Sequence, residues 1–344
     1  MTDTAANTPL TAELVRLPQM SRLALCVGAD MLDVVVTSKV EDNSMIWRRI
    51  PLSGTSGSTT RALEEAVYDN PLLLAPFSRT DIVFDTCRFL VVPADRATDD
   101  RADAMLETLY PGVEFEPLVN EIPGNAVIAS AVNADLMRFT GRTFPEARRM
   151  HRLTPLCRYF GGRNRGGNGG RMHVHLHGNF VDVVAYSTGH LLTANTFEAA
   201  DVSDALYFIL AAAAGISFDD NVDRMMLSGD AGRREALMPM LRKYYPHAMP
   251  AIFPSAMLRA GSQALAVPFE LSLLPICEES QENTDGGALT CPPASPPGPP
   301  PTLPARTSST SWAILSTLRS ARPSTSSRVP APSRSSSSAA AAPP

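Results

Sequence analysis

The chain has 344 residues, a formal net charge of −5 and 44% hydrophobic residues, enough apolar material for one large or two small cores and too acidic for a strongly basic nucleic-acid surface. Its five cysteines, Cys26, Cys87, Cys157, Cys277 and Cys291, lack metal-ligand spacing and sit mostly in apolar runs, as reduced core residues of a cytoplasmic protein do. The most apolar helical stretch, Val202–Ile216, is interrupted by Asp204 and too short to cross a bilayer, so membrane insertion is not expected.

Met1–Pro18 reads as a loose arm. Arg22–Val27, Met31–Ser38 and Met45–Ile50 then form a meander of three strands, turning at Gly28–Asp30 and Lys39–Ser44. The loop Ser53–Thr60 (SGTSGSTT) leads into a helix at Thr60–Tyr68 with Ala62, Leu63, Ala66 and Val67 as its apolar face. A buried strand at Ile82–Val92 is halted by Pro93. A helix around Asp99–Leu109, a strand at Asn125–Val132, a helix from Ala134 and a helical piece around Pro145–Arg152 follow.

A second meander begins at Arg171, with strands Met172–His177, Phe180–Tyr186 and His190–Phe197 and turns at Gly178-Asn179 and Ser187–Gly189. Its middle strand nearly repeats that of the first: Leu32-Asp33-Val34-Val35-Val36-Thr37-Ser38 against Val181-Asp182-Val183-Val184-Ala185-Tyr186-Ser187. Helices at Val202–Gly215, Gly232–Tyr245 and Ser255–Ala264, and strands at Arg224–Leu227 and around Ala251–Phe253, complete the second copy. Meanders followed by alternating helices and strands imply mixed α/β sheets covered by helices.

Two such units in tandem resemble the paired ribonuclease H-like lobes of the superfamily of actin, sugar kinases and heat-shock chaperones. The run from Ala194-Asn195-Thr196-Phe197 through Asp204-Ala205-Leu206-Tyr207-Phe208, with Leu227-Ser228-Gly229-Asp230 and Leu241-Arg242-Lys243-Tyr244-Tyr245, is similar to an uncharacterised Bacteroidetes family of unknown function in that superfamily. The resemblance implies an actin-like ATPase architecture with lobes at residues 17–153 and 154–278. It also implies that the glycine turns face each other across a cleft holding ATP and magnesium, with Gly28, Ala29, Asp30, Gly178, Asn179, Ser228 and Gly229 nearest the nucleotide.

Several features bear on that expectation. Neither turn has the superfamily's Asp-x-Gly order, because Cys26-Val27 precedes Gly28 and Leu176-His177 precedes Gly178. A hairpin glycine chosen for positive φ explains both turns without a ligand. His173, His175 and His177 alternate on one strand face and so are candidates for zinc, but they are nearly collinear and lack a visible fourth ligand; a solvated or interface-facing strand is the alternative. The loop Gly161–Gly170, with Arg163 and Arg165, is either a phosphate or nucleic-acid contact or an expanded connection. Neither a Gly-x-Ser-x-Gly motif nor a Walker loop is present.

Residues 279–344 are dominated by Pro, Ser and Ala and read as a disordered tail. Moved one nucleotide upstream, the codons of Ala305–Ile314 and Ser324–Ser333 are compatible with segments resembling a ribosomal-RNA guanine methyltransferase. That points to a frameshift product, or else to an ordinary linker. With the five arginines and two acids from Ser280 onward set aside, the body carries a charge of about −8, so no nucleic-acid partner is expected. Two principal functions stand open. One is a non-catalytic scaffold or adaptor with a degenerate cleft and a protein partner. The other is an ATP-binding protein or weak ATPase. A metal-binding protein is a third.

Overall fold

A computed structural model describes residue 15 and residues 17–40, 44–52, 58–97, 99–163, 169–252 and 266–277. The first meander forms β1 (Ser21–Val27), β2 (Met31–Ser38) and β3 (Met45–Pro51). Apolar side chains on both faces of these strands demand cover on both sides. Leu23, Leu25 and Val27 point to one core, Ala24 and Cys26 to another. β4 (Arg79–Phe84) and β8 (Arg148–His151) extend the sheet in parallel, giving the order β3-β2-β1-β4-β8. Helices α1 (Thr59–Tyr68) and α3 (Ala134–Thr143) cover the outer face through Leu63, Val67, Leu136 and Phe139.

The second meander repeats the plan with β9 (Gly170–His177), β10 (Phe180–Ser187), β11 (His190–Glu198), β12 (Arg224–Gly229) and β13 (Met249–Pro250), in the order β11-β10-β9-β12-β13. Again the first three strands are antiparallel and the last two join in parallel. Helices α5 (Val202–Gly215) and α6 (Ala231–Leu241) cover its outer face. The mixed α/β architecture and its duplication are those expected from the sequence.

The structure departs from the expected elements in the first half. Ile82–Val92 is two strands, β4 and β5 (Phe89–Pro93), which belong to different sheets. The ladder with β1 ends at Asp85, whose amide donates to Val27 O, and the Thr86 hydroxyl then accepts from the Arg88 amide to turn the chain. β5 joins β6 (Phe115–Ile122) and β7 (Ala126–Asn133) in an antiparallel sheet, β5-β7-β6, of which β6 was not anticipated. Helix α2 (Asp99–Leu109) packs Ala102 and Leu106 against Ala129 and Ala131 of that sheet.

The expected helical piece at Pro145–Arg152 is instead the edge strand β8. Its apolar residues Ala147 and Met150 are three apart and mimic a helical stripe. Pairing with β4 and the Arg148–Asp81 ion pair at 2.6 Å fix it as a strand. Helix α4 (Leu153–Arg163) follows at once. In the second half the last short strand falls at Met249–Pro250 rather than around Ala251–Phe253. The helix expected at Ser255–Ala264, most of the N-terminal arm, residues 53–57 of the serine-rich loop, residues 164–168 of the glycine-rich loop, Cys291 and the tail 279–344 lie outside the described residues.

A short helix, α7 (Phe269–Ser272), lies between the inner faces of the two large sheets, and α4 packs between the second of them and the β5-β7-β6 sheet. Val267, Leu271 and Leu274 pack on the first sheet beside Cys26, Val35 and Val83. Phe269 and Leu273 pack with α4 against Val184 and Tyr186 of the second. No helix among the described residues is long and apolar enough to cross a membrane.

Candidate functional site

The inner faces of the two sheets meet in a seam that is polar at its centre. Asp85, at the end of β4, and Asp182, in the middle of β10, both turn toward Arg152, the residue that links β8 to α4. Arg152 Nε donates to Asp85 Oδ1 at 2.6 Å. Nη1 donates to Asp182 Oδ2, and Nη2 to Asp182 Oδ1 at 3.1 Å. The Thr196 hydroxyl donates to Asp182 Oδ1 at 2.7 Å, and His177 Nε2 lies 3.3 Å from Oδ2.

This guanidinium is 1% exposed and Asp182 is fully buried. Burying such a group uncompensated would cost several kcal/mol per ion, so two carboxylates around one cation are what make the arrangement tenable. Burial would draw the Arg152 pKa down, but Asp182 and Asp85 raise it well above the ordinary value. Burial likewise pushes the Asp182 carboxyl up, yet Arg152 and His177 bring it far below the usual carboxylate range.

His151, beside Arg152, is wholly buried and neutral in its bonding. Nε2 donates to Thr86 O at 2.9 Å, while Nδ1 accepts from the Leu153 amide at 3.2 Å. Only the neutral imidazole supplies that pairing. Burial, and then the Arg152 charge, lower its pKa to about 4.

A second polar group adjoins the first. His175 Nδ1 shares a hydrogen bond with the Ser228 hydroxyl at 3.0 Å, and Nε2 lies 3.1 Å from Glu270 Oε2 on α7, close enough for a charge contact though not aligned as a hydrogen bond. Burial raises the Glu270 carboxyl, but His175 and His177 outweigh it and bring the pKa down to about 2. His173 stacks on Phe160 of α4 with ring centroids 3.3 Å apart. Burial, then Arg171, hold its pKa well below 6.5.

The three histidines do share one face, but that face is not solvated. His173 and His175 are buried against α4 and α7, and His177 is partly covered by Phe180. Among the described residues, no three His, Cys, Asp or Glu side chains come together in a way that would hold a metal ion.

The two glycine turns are each held by their own surroundings. Gly28 lies beside Asp85, 4.0 Å from where its Cβ would stand to Oδ2. It is not in the left-handed region, so positive φ does not explain this glycine; the three-residue turn instead brings its amide 2.9 Å from Met31 O. Ala29 O accepts from the Thr59 hydroxyl and Asp30 O from the Leu52 amide, which commits this turn to its own surroundings. Gly178 does have positive φ, +45°, and nothing stands within 4 Å of its Cβ position. Beneath it, Arg233 of α6 donates to the carbonyls of Gly178, Phe180 and Ala199, and Asn179 O accepts from the Ala199 amide.

Ser228 points inward to His175, and Gly229 follows with φ +92° at a place where a Cβ would stand 1.9 Å from Leu176 O, so only glycine fits. Asp230 then caps α6 by accepting from the Arg233 amide. Gly178, Asn179 and Gly229 therefore gather at the start of α6, whereas Gly28, Ala29 and Asp30 stay with the first sheet. Between the two groups runs a line of side chains: Asp85, Arg152, Asp182 and His177. Arg152, Asp85, His151, Glu270 and Arg233 were not singled out from the sequence.

Residues 18–248 match a family model described as Protein of unknown function (DUF3822). No curated protein matches the sequence. A solved structure from Bacteroides thetaiotaomicron VPI-5482, a protein with actin-like ATPase fold and unknown function, is similar over 70% of this chain and 95% of its own, at 22% identity and a TM-score of 0.61. The PilM-PilN type IV pilus biogenesis complex is similar over 76% of this chain and 99% of the other, at 12% identity and a TM-score of 0.45. The AlfA filament bound to AMPPNP is similar over 76% and 98%, at 8% and 0.40. The first of these likenesses shows the fold, which is that of the actin-like ATPases.

Proposed function

We propose, starting from the fact that this chain belongs to the DUF3822 family of proteins of unknown function, that it is a non-catalytic scaffold for a protein partner, its nucleotide cleft filled by its own side chains. The observation that carries this reading is Arg152. A nucleotide-metal site in this fold needs carboxylates free to face a hydrated cation and turns free to face phosphate. Here Asp85 and Asp182 are both spent on one buried guanidinium, and the seam's third carboxylate, Glu270, is buried against His175. Two cavities among the described residues, of about 220 Å³ and about 10 Å³, lie between α1 and α3 and between β1 and the residues around α7, and neither is lined by Gly28 or Gly178.

One observation favours the alternative, an ATP-binding protein. The Gly178 turn is open on its outer side, with Arg233 anchoring it from below. Thermal unfolding of the full chain with millimolar magnesium and ATP separates the two. A nucleotide present at a hundred times its dissociation constant adds about 2.7 kcal/mol to the folded state. The scaffold reading expects no change in the midpoint. A rise that Gly178→Val abolishes would overturn it and establish nucleotide binding at the turn.

A further inference from the structure

A cavity of about 220 Å³ opens on the outer side of the first sheet, between the start of α1 and the exposed face of α3. Three guanidinium groups line it: Arg61 from α1, and Arg138 and Arg142 from α3. The last two are four residues apart and so project from one face of their helix. Ser58 and Thr60 add hydroxyls. The Ser58 side chain makes no capping bond, and the Thr60 hydroxyl has only a long contact of 3.5 Å to Asn133 Oδ1.

Two carboxylates also line the cavity, Glu64 and Asp135. Asp135 Oδ1 lies 2.8 Å from Arg138 Nη2 and so holds that guanidinium in place. Arg142 makes no ion pair among the described residues, and the contact of Arg61 is to Glu65 at 3.7 Å, between two exposed side chains. The lining is thus net cationic in a chain whose formal net charge is −5.

We propose that this cavity binds a phosphate monoester, carried either by a small molecule or by a phosphorylated side chain of a protein partner. The guanidinium fork matches phosphate oxygens in bidentate pairs, and three forks from two helices suit a dianion with three terminal oxygens better than a carboxylate with two. The hydroxyls of Ser58 and Thr60 supply rotatable donors. Glu64 disfavours a bare polyanion and can accept from a hydroxyl or amide next to the ester. The cavity is several times the roughly 30 Å³ that a water molecule occupies, leaving room for a phosphate and the atoms it is attached to. It shares no residue with the seam, so it stands or falls independently of the scaffold reading.

The test is an amide NMR titration of the full chain with inorganic phosphate at constant ionic strength. The expected result is saturable shifts confined to the start of α1 and to α3. Arg142→Glu should raise the dissociation constant by about tenfold or more, the loss of one charge-assisted pair, with the rest of the spectrum unchanged. Arg101→Glu, on the separate helix α2, should leave binding as it was. A phosphoserine peptide that binds more tightly than phosphate, while its unphosphorylated form does not bind, assigns the ligand to a protein; phosphate binding with no gain from the peptide assigns it to a small molecule. Shifts that never saturate, or that persist equally in Arg142→Glu, would overturn the proposal.

Discussion

Arg152 stands between two carboxylates from different sheets, so its removal is a test of what holds the seam together. Arg152→Met keeps much of the aliphatic volume and leaves Asp85 and Asp182 facing an apolar side chain. Breaking a buried pair by deleting one partner costs about 3–5 kcal/mol, most of it the uncompensated charge that remains. Urea unfolding should show that loss. Adding Asp85→Asn and Asp182→Asn should recover a large part of it, because the stranded charges are then gone. A single variant as stable as the parent would mean that the guanidinium is dispensable. The acid was legible in part: Asp33 and Asp182 occupy the same place in two otherwise apolar strands, and both prove to be paired, Asp182 fully buried and Asp33 half-buried, with Trp47 Nε1 and Arg49 Nε at 2.8 Å each from Asp33. Arg152 was not legible. A cation near a chain turn looks solvated until two sheets close over it.

At the scale of elements, α7 joins the sheets although it spans only Phe269–Ser272. Leu271 is 1% exposed and packs on the first sheet, while Leu273, fully buried, packs with α4 beside the second. Leu271→Ala should destabilise the chain by about 2–5 kcal/mol, the range for truncating a buried leucine, as measured by urea unfolding. An effect below about 1 kcal/mol, expected of an exposed site, would show that this segment does not hold the sheets. The meanders were readable because strand alternation and glycine turns are local signals. The three-stranded sheet was less so: β6, FEPLVNEI, has only two buried residues, Asn120 and Ile122, and takes its pairing from β7. The seam's chemistry comes from residues distant in sequence, Asp85, Arg152, Asp182 and Glu270, whose meeting is decided by topology. Gly229 shows the same limit, since its reason is the backbone of Leu176 on a neighbouring strand.

For the whole molecule, the buried titratable groups predict how stability depends on pH. His151 has a folded pKa of about 4 against an ordinary 6.5. The unfolded chain therefore takes up this proton first, so its contribution is complete above pH 6.5 and is lost as pH falls toward 4. Glu270 is lowered from 4.5 to about 2, and Asp182 is lowered in the same sense. Their contribution is present above the unfolded carboxylate pKa and is lost as pH falls through the folded values. At about 1.36 kcal/mol per pKa unit, each of the two valued shifts corresponds to about 3 kcal/mol. Urea unfolding at a series of pH values should then show stability falling in two limbs, one between about 6.5 and 4 and one below about 4.5. His151→Gln should make the upper limb shallower, the rest of it coming from the buried His173, and Glu270→Gln should reduce the lower. Stability that stays level from neutral pH to 4.5 would contradict a buried, neutral His151. The two limbs report on the same closed seam from both sides: His151 is kept neutral by its burial and then by the Arg152 charge beside it, and Asp182 stays ionised because Arg152 outweighs the effect of its burial.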